Sequence, residues 1–404
     1  MPEKKKIKAI GANLLLSLGS VCFALGIAEI GLQIAGVSYP SFYQVDPHRG
    51  HALIPNYSAW WINEGKGYVA INRDGLRDGE HSVAKPENTF RIAILGDSFS
   101  EAIQVNADET FWSAIEKQLP TCAALQGKQV EVINFGVGDY GTAQELMTLK
   151  HHVWKYQPDL VLLEIFTGND IVNNSQALSP SDRFSPFLKK QGDQFVMDLS
   201  FKDTETYRRR DSFARRFVFN LINHSRVLQV INEAKRVIGT RQTMGQRQTG
   251  QAKPDDLIPA LDFDVNLYQE PTNKDWQEAW EVTEELVKQI NNEVKTKGAN
   301  FVALTISNPP QVYPDLQVRE RLKELGAKNL FYPDQRIQQL GQVNGFTVFN
   351  LAPEMQTYAD QNQVHLHGFE NTRLGVGHWN RKGHAVAGKL ITDKLCQKFN
   401  QFNQ

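Results

Sequence analysis

The sequence predicts an α/β fold: a three-layer αβα sandwich with a central parallel sheet, joined by an N-terminal transmembrane helix and a helical insertion. Three observations predict it. From residue 90 onward, short apolar runs alternate with longer helical stretches. The runs, such as Leu160-Val-Leu-Leu163, are continuously hydrophobic, as strands covered on both faces are. The alternation breaks off after Ser175 and resumes near Asn273, an interval of roughly a hundred residues that is too long for a loop. A chain of 404 residues with 41% hydrophobic side chains has material for a substantial core beside such additions.

The N-terminal element is Ala9–Ala28, a run of 20 residues without a charge, preceded by Lys4, Lys5, Lys6 and Lys8. At helical rise it just crosses a hydrocarbon layer of ~30 Å. The lysines put the N-terminus in the cytoplasm and everything after Glu29 in the periplasm or outside the cell. A cleaved signal peptide competes with this reading, since Gly26-Ile-Ala28 offers small residues at a cleavage spacing. The length of the run, continued by Ile30-Gly-Leu-Gln-Ile-Ala-Gly36, favours a retained single-pass anchor over residues 1–36.

Residues 37–89 are rich in aromatics and turn formers, with Trp60-Trp61, Gly65-Lys-Gly67 and Asn72-Arg-Asp-Gly75 between short β-like runs. They predict a β-hairpin region packed on the main domain. Its tryptophans are candidates for stacking on sugar rings, although packing is the preferred reading.

The main domain is expected in two pieces, 90–174 and 274–404. The pattern predicts strands over 91–95, 130–134 and 159–165 and helices over 109–118 and 142–155 in the first. In the second it predicts helices over 275–297, 333–343 and 381–398 and strands over 300–306 and 346–349.

Between the pieces, 175–273 is expected as a helical insertion or cap. Over Tyr207–Ile238, Arg208-Arg-Arg210 and Arg215-Arg216 stand beside Phe217, Phe219, Leu221, Ile222, Val227, Leu228, Val230 and Ile231. A solvated basic face over a packed apolar one is preferred here to a patch for anionic lipid or acidic glycan. The Gln-rich stretch Thr240–Pro254 is expected to be mobile.

With 44 Lys and Arg against 45 Asp and Glu, no electrostatic ground exists for binding nucleic acid. The 3 cysteines encode no disulfide framework or cysteine-rich metal site. Cys22 lies in the apolar run, and Cys122 and Cys396 are equally readable as a pair or as two buried thiols.

Chemistry enters at Arg91-Ile-Ala-Ile-Leu-Gly-Asp-Ser98, where a strand runs straight into a turn that presents a serine. A serine hydroxyl becomes a useful nucleophile only beside a base and donors for an oxyanion. Helix capping is the bland use of Ser98. Two further strand ends offer donors: Val132-Ile-Asn-Phe-Gly-Val-Gly-Asp-Tyr-Gly-Thr142, whose glycines free a backbone N–H, and Phe166-Thr-Gly-Asn-Asp170, with the Asn169 amide. Gly377-His378-Trp379-Asn380 supplies a candidate base. The loop Gly96-Asp-Ser-Phe-Ser-Glu101 lacks the glycine spacing of a dinucleotide site.

These four blocks, in this order, resemble the GDSL/SGNH hydrolase family over about residues 70–180 and 298–398. The resemblance implies a flavodoxin-like SGNH-hydrolase fold and serine esterase activity without a cofactor or metal. It makes Ser98 the nucleophile and His378 the general base. The oxyanion hole would comprise the Ser98 N–H, a turn N–H and the Asn169 amide. The chain departs from the family pattern twice. The position usually held by glycine is Asp139, with Gly138 before it, so the turn donor is divided between them. The acid expected three residues before the histidine is replaced by Gly375. Orientation of His378 then falls to Glu370, to a backbone carbonyl, or to nothing, leaving a Ser-His dyad.

His365, His367 and His384 lack the i, i+4 spacing of a zinc helix. His384 is expected to pack at the start of the last helix, and His367 is a weaker candidate for lining a pocket. Asp97 and Asp170 are expected to hold their turns by accepting backbone N–H groups. The expected substrate is an acylated carbohydrate or another small ester met outside the membrane. The alternatives are an O-acyltransferase acting with a membrane acyl-transfer partner, and a non-catalytic glycan-binding or assembly protein.

Overall fold

A computed structural model describes residues 2–179, 183–244, 257–261 and 263–402. In chain order, α1 (Pro2–Ile34) leads to two antiparallel hairpins, β1 (Tyr43–Asp46) with β2 (Gly50–Leu53) and β3 (Ser58–Trp61) with β4 (Gly67–Ala70). There follow β5 (Thr89–Leu95), α2 (Ser98–Glu101), α3 (Phe111–Gln118), β6 (Gln129–Asn134), α4 (Thr142–Thr148), β7 (Leu160–Ile165) and α5 (Thr167–Asn173). The insertion holds a hairpin of β8 (Phe187–Gln191) and β9 (Gln194–Asp198), then α6 (Glu205–Asp211), α7 (Phe213–His224), α8 (Arg226–Met244) and α9 (Leu257–Ala260). The α/β alternation resumes with α10 (Lys274–Thr296), β10 (Asn300–Thr305), α11 (Pro309–Val312), α12 (Leu316–Glu324), α13 (Tyr332–Asn344), β11 (Thr347–Asn350), α14 (Ala352–Asn362) and α15 (Arg381–Phe402).

The chain forms two compact units, Met1–Ser41 with Arg209–Gly250, and Phe42–Arg208 with Gln251–Gln404. In the larger unit the five-stranded sheet runs β6-β5-β7-β10-β11, parallel throughout. That is the doubly wound order 2-1-3-4-5, whose direction of winding reverses between β5 and β7. Ligand crevices of such sheets open at this switch point, beyond the carboxyl ends of the strands.

The pleat explains the layering, because successive side chains leave opposite faces. Ala93 and Leu95 of β5 and Val161, Leu163 and Ile165 of β7 enter a core with Leu146 of α4 and Trp280, Leu286 and Ile290 of α10. Ile92, Ile94, Leu160 and Leu162 enter a second core with Phe111 and Ile115 of α3, Met355 of α14 and Ile391 of α15. Helices therefore cover both faces, and the strands read as unbroken apolar runs for that reason. A third cluster, with Phe42, Leu53, Val69 and Ile71, seats the hairpin region against Ile103, Val137 and Tyr140.

Cys122, just after α3, and Cys396 of α15 form a disulfide across neighbouring elements. The helix expected over 142–155 is α4 followed by a π-turn at Leu149–Val153 and a 3₁₀ turn at Trp154–Tyr156. The insertion is not wholly helical, since it begins with β8 and β9. The stretch expected to be mobile is helical over 240–244, and its remainder lies outside the described residues.

In the smaller unit, α1 is long and apolar enough over Gly11–Ile34 to cross a membrane, and none of that segment is buried. The apolar face expected to be packed is in part open. Phe213, Phe217, Leu221, Leu228 and Ile231 are exposed, which corrects that expectation.

Candidate active site

The turn that presents Ser98 is set by Asp97, the N-cap of α2, whose Oδ1 accepts the Phe99 N–H at 2.8 Å. Its other oxygen accepts from Asn169 Nδ2 at 2.8 Å, tying the end of β5 to the end of β7. Half-buried Ser98 is left with its hydroxyl 2.8 Å from His378 Nε2. The two residues are 280 positions apart and meet at the expected place, beyond the carboxyl end of β5.

His378 is completed by a residue that sequence reading passed over. Glu64 Oε2 lies 2.6 Å from His378 Nδ1, and Glu64 Oε1 accepts the His378 backbone N–H at 2.8 Å. Glu64 stands in the turn between β3 and β4. Trp61 Nε1 donates to its carbonyl at 3.0 Å. Asn371 fastens the same turn to the histidine loop, accepting the Gly65 N–H at 2.9 Å and donating to Ile62 O and Gly65 O. Glu370, the expected orienting acid, is exposed, so that expectation is corrected to Glu64.

Two glycines explain why the acid comes from so far. At Gly377 (φ +83°) a Cβ would lie 2.3 Å from Glu64 Oε1, so any side chain there would evict the carboxylate. At Gly375 (φ +80°) a Cβ would strike the Tyr313 ring at 2.4 Å, so an acid cannot stand three residues before the histidine.

The turn after β6 separates the two candidate donors. The Gly138 N–H is committed to Glu101 Oε2 at 2.5 Å. Asp139 adopts the left-handed conformation (φ +62°), its side chain is exposed, and no acceptor among the described residues takes its N–H. The Ser98 N–H is likewise untaken, and Asn169 Nδ2 has a second hydrogen beyond the one given to Asp97. Arg183, from the insertion, donates to the Asp139 carbonyl and, at 2.5 Å, to Asn173 Oδ1, bracing the turn from outside.

Electrostatics follow from burial. It opposes the His378 imidazolium, yet Glu64, with Asp97 and Glu101 behind it, outweighs that penalty and holds His378 above its ordinary value. Burial pushes Glu101 up to about 7 and Asp97 up to about 6. Below the turn, burial and mutual repulsion hold the carboxyls of Glu145, Glu164 and Asp170 well above their usual range. Among the described residues no well-formed hydrogen bond reaches the Asp170 carboxyl, although the Phe166 backbone N–H at the start of its turn favours the charged form. Asp97 does hold its own.

Two further histidines near the site, His367 and His384, are buried. His367 is buried, facing Ser307 Oγ at 2.9 Å and the Gly377 carbonyl at 2.7 Å, so it braces the histidine loop. His384 is buried and stacked on Phe111, packed at the start of α15 as expected.

No protein-family model and no curated protein sequence matches the chain. Among solved structures it is similar to an acetyl xylan esterase, AlAXEase, at 13% identity, covering 76% of this chain and 99% of that one with a TM-score of 0.37. It is similar to a lipase/acylhydrolase from Enterococcus faecalis at 14% identity, covering 76% and 96% with a TM-score of 0.36. A catalytic mutant of Axe2, an acetylxylan esterase from Geobacillus stearothermophilus, is similar at 7% identity, covering 76% and 94% with a TM-score of 0.37.

Proposed function

We propose that the chain is a membrane-anchored serine esterase of the SGNH type that removes a small, acetyl-like acyl group from an envelope or exported carbohydrate. The observation that carries this reading is the relay from Glu64 through His378 to Ser98, with contacts of 2.6 and 2.8 Å. A carboxylate on Nδ1 fixes the tautomer that leaves Nε2 free to accept a proton.

In this mechanism Ser98 Oγ attacks the acyl carbonyl while His378 Nε2 takes its proton. The tetrahedral oxyanion is met by the N–H groups of Ser98 and Asp139 and by Asn169 Nδ2. Collapse expels the alcohol, which receives its proton from His378, and water repeats the sequence on the acyl-enzyme. Two features support catalysis over a non-catalytic glycan-binding role: the carboxylate on His378 and the exposed side chain of Asp139. The substrate class rests on location. With α1 as a retained anchor the domain meets glycans outside the membrane.

Fluorophosphonate labelling with peptide mapping tests the reading. A phosphonyl adduct on Ser98 that disappears in His378→Ala is the expected result. An intact chain that forms no adduct, or forms it at another residue, overturns it. Short-chain aryl esters and acetylated oligosaccharides then define the substrate, and added oligosaccharide acceptors distinguish hydrolysis from transfer.

A further inference from the structure

The open apolar face of α7 belongs to a built arrangement. Phe213, Phe217 and Leu221 follow at intervals of four, with Val218 beside them, so they share one face. All four are exposed, Phe213 at 83%. Arg215 and Arg216 stand off that face on the remainder of the helix, and both are exposed, Arg216 also contacting Asp211. Between Arg209 and Arg236 there are 7 Lys and Arg against 2 Asp and Glu, in a chain whose net charge is −1.

The opposite side of α7 is fixed. Asn223 exchanges hydrogen bonds with the Ser41 backbone at 3.1 and 2.8 Å, and Gln229 accepts the Tyr39 N–H at 3.0 Å while donating to the Asn223 carbonyl at 2.9 Å. The apolar face therefore has no freedom to turn inward.

Its level is fixed too. Glu29, the first charged side chain after the uncharged run of α1, accepts from Ser225 Oγ at 2.9 Å and from the N–H groups of Arg226 and Val227 at 2.7 and 3.1 Å. The corner between α7 and α8 is thereby held where the apolar run of α1 ends. A helix placed there, with aromatics on one face and arginines on the remainder of its circumference, has the composition of an interfacial helix. Such helices lie ~5–10 Å into the boundary of headgroups and acyl chains.

We infer that α7 lies in the outer surface of the bilayer that α1 crosses, with Phe213, Phe217 and Leu221 among the acyl chains and Arg215 and Arg216 at the phosphates of anionic phospholipid. The inference rests on α1 being retained as a span and does not depend on the esterase reading. It gives the unit a second membrane contact.

The test uses the full chain in vesicles of phosphatidylcholine and phosphatidylglycerol. Cys22 is the one free cysteine among the described residues. Cys22→Ser with Phe217→Cys therefore carries a single nitrobenzoxadiazole label on α7, and the wild-type chain carries it on α1. The expected result is loss of most iodide quenching at position 217, with strong quenching by nitroxide placed near the headgroups. Protected Cys22 with an iodide-accessible label at 217 overturns the inference for α7 alone. A label at 217 shielded from both iodide and nitroxide lipid also overturns it, because a protein surface then covers the face. Iodide access at Cys22 removes the span and the inference with it.

Discussion

Glu64 and His378 lie 314 residues apart in sequence, and the carboxylate of one grips the other at two points, Nδ1 at 2.6 Å and the backbone N–H at 2.8 Å. The bidentate grip fixes both the tautomer and the position of the imidazole. It also makes the β3–β4 hairpin, which lies outside the α/β alternation, part of the proposed catalytic machinery.

Glu64→Gln keeps the shape and reverses the hydrogen bond. With Oε1 still accepting the His378 N–H, the amide NH₂ faces Nδ1 and donates to it. The proton then sits on Nε2, which can no longer accept from Ser98. The expected loss in kcat is ~10²- to 10⁴-fold with KM little changed, read by steady-state hydrolysis of a short-chain ester. Undiminished kcat would remove Glu64 from the mechanism.

Supplying an acid at position 375, three residues before the histidine, does not repair this loss. In Glu64→Gln with Gly375→Asp the new side chain must enter a left-handed backbone against Tyr313 and beside His365 Nδ1, 2.9 Å from the glycine's ideal Cβ. Activity is expected to stay at or below that of Glu64→Gln, with a lower melting temperature from the strain. Recovery above the single variant would show that the loop accommodates a second acid.

The parallel sheet was legible because strands covered on both faces must be apolar throughout, as Leu160-Val-Leu-Leu163 is; the order of its strands was not. Ser98, Asn169 and His378 were legible because each sits directly beyond a strand or in a glycine-bounded loop. Glu64 was not, since nothing local distinguishes an acid in a hairpin turn from a solvated one. The signal was indirect: Gly65 and Gly67 flank a turn that must approach another segment closely, and Gly375 left His378 without its usual acid. The choice between Gly138 and Asp139 depended on Glu101, whose claim on the Gly138 N–H is a tertiary contact. Exposure of the α7 face was illegible because the same amphipathic pattern serves a protein core and a membrane surface.

The acidic limb of the pH profile should report the same pair. His378 must be neutral to accept the serine proton, and its value lies above the ordinary imidazole value because Glu64 favours the charged form. Activity is therefore expected to fall, as pH is lowered, at a pH above the ~6.5 of a free imidazole. In Glu64→Ala the limb should move to lower pH, since burial then acts without its counterweight. A limb that stays in place would assign it to another group.

Stability at alkaline pH should depend on His81. Its Nδ1 lies 2.6 Å from Glu131 Oε1 and its Nε2 3.1 Å from Asp78 Oδ2. Burial opposes its charge, but the two carboxylates raise it to about 9. A folded value above the unfolded one means that this stabilisation is complete below the unfolded value of ~6.5 and is lost as pH rises through about 9. The loss is expected to be up to ~3 kcal/mol. Asp78 also accepts the Asn134 N–H at 2.8 Å, at the start of the turn that carries Asp139, so the effect should reach activity as well. Urea midpoints at pH 6 and pH 9.5 check it: the wild-type chain should lose stability between them and His81→Asn should lose markedly less.

The disulfide offers a separate handle on the same domain. Cys122 and Cys396 are 274 residues apart, so the bond closes a long loop in the unfolded chain, for which chain-entropy arguments give at most roughly 5–6 kcal/mol. Cys122→Ser with Cys396→Ser should lower the melting temperature and leave the Ser98–His378–Glu64 relay intact. The bond joins a loop after α3 to the middle of α15 and touches none of the proposed catalytic side chains. The double variant is therefore expected to keep the kcat of the parent below its own unfolding transition. A large fall in kcat at a temperature where circular dichroism shows the variant folded would mean that the α3–α15 face positions the site directly.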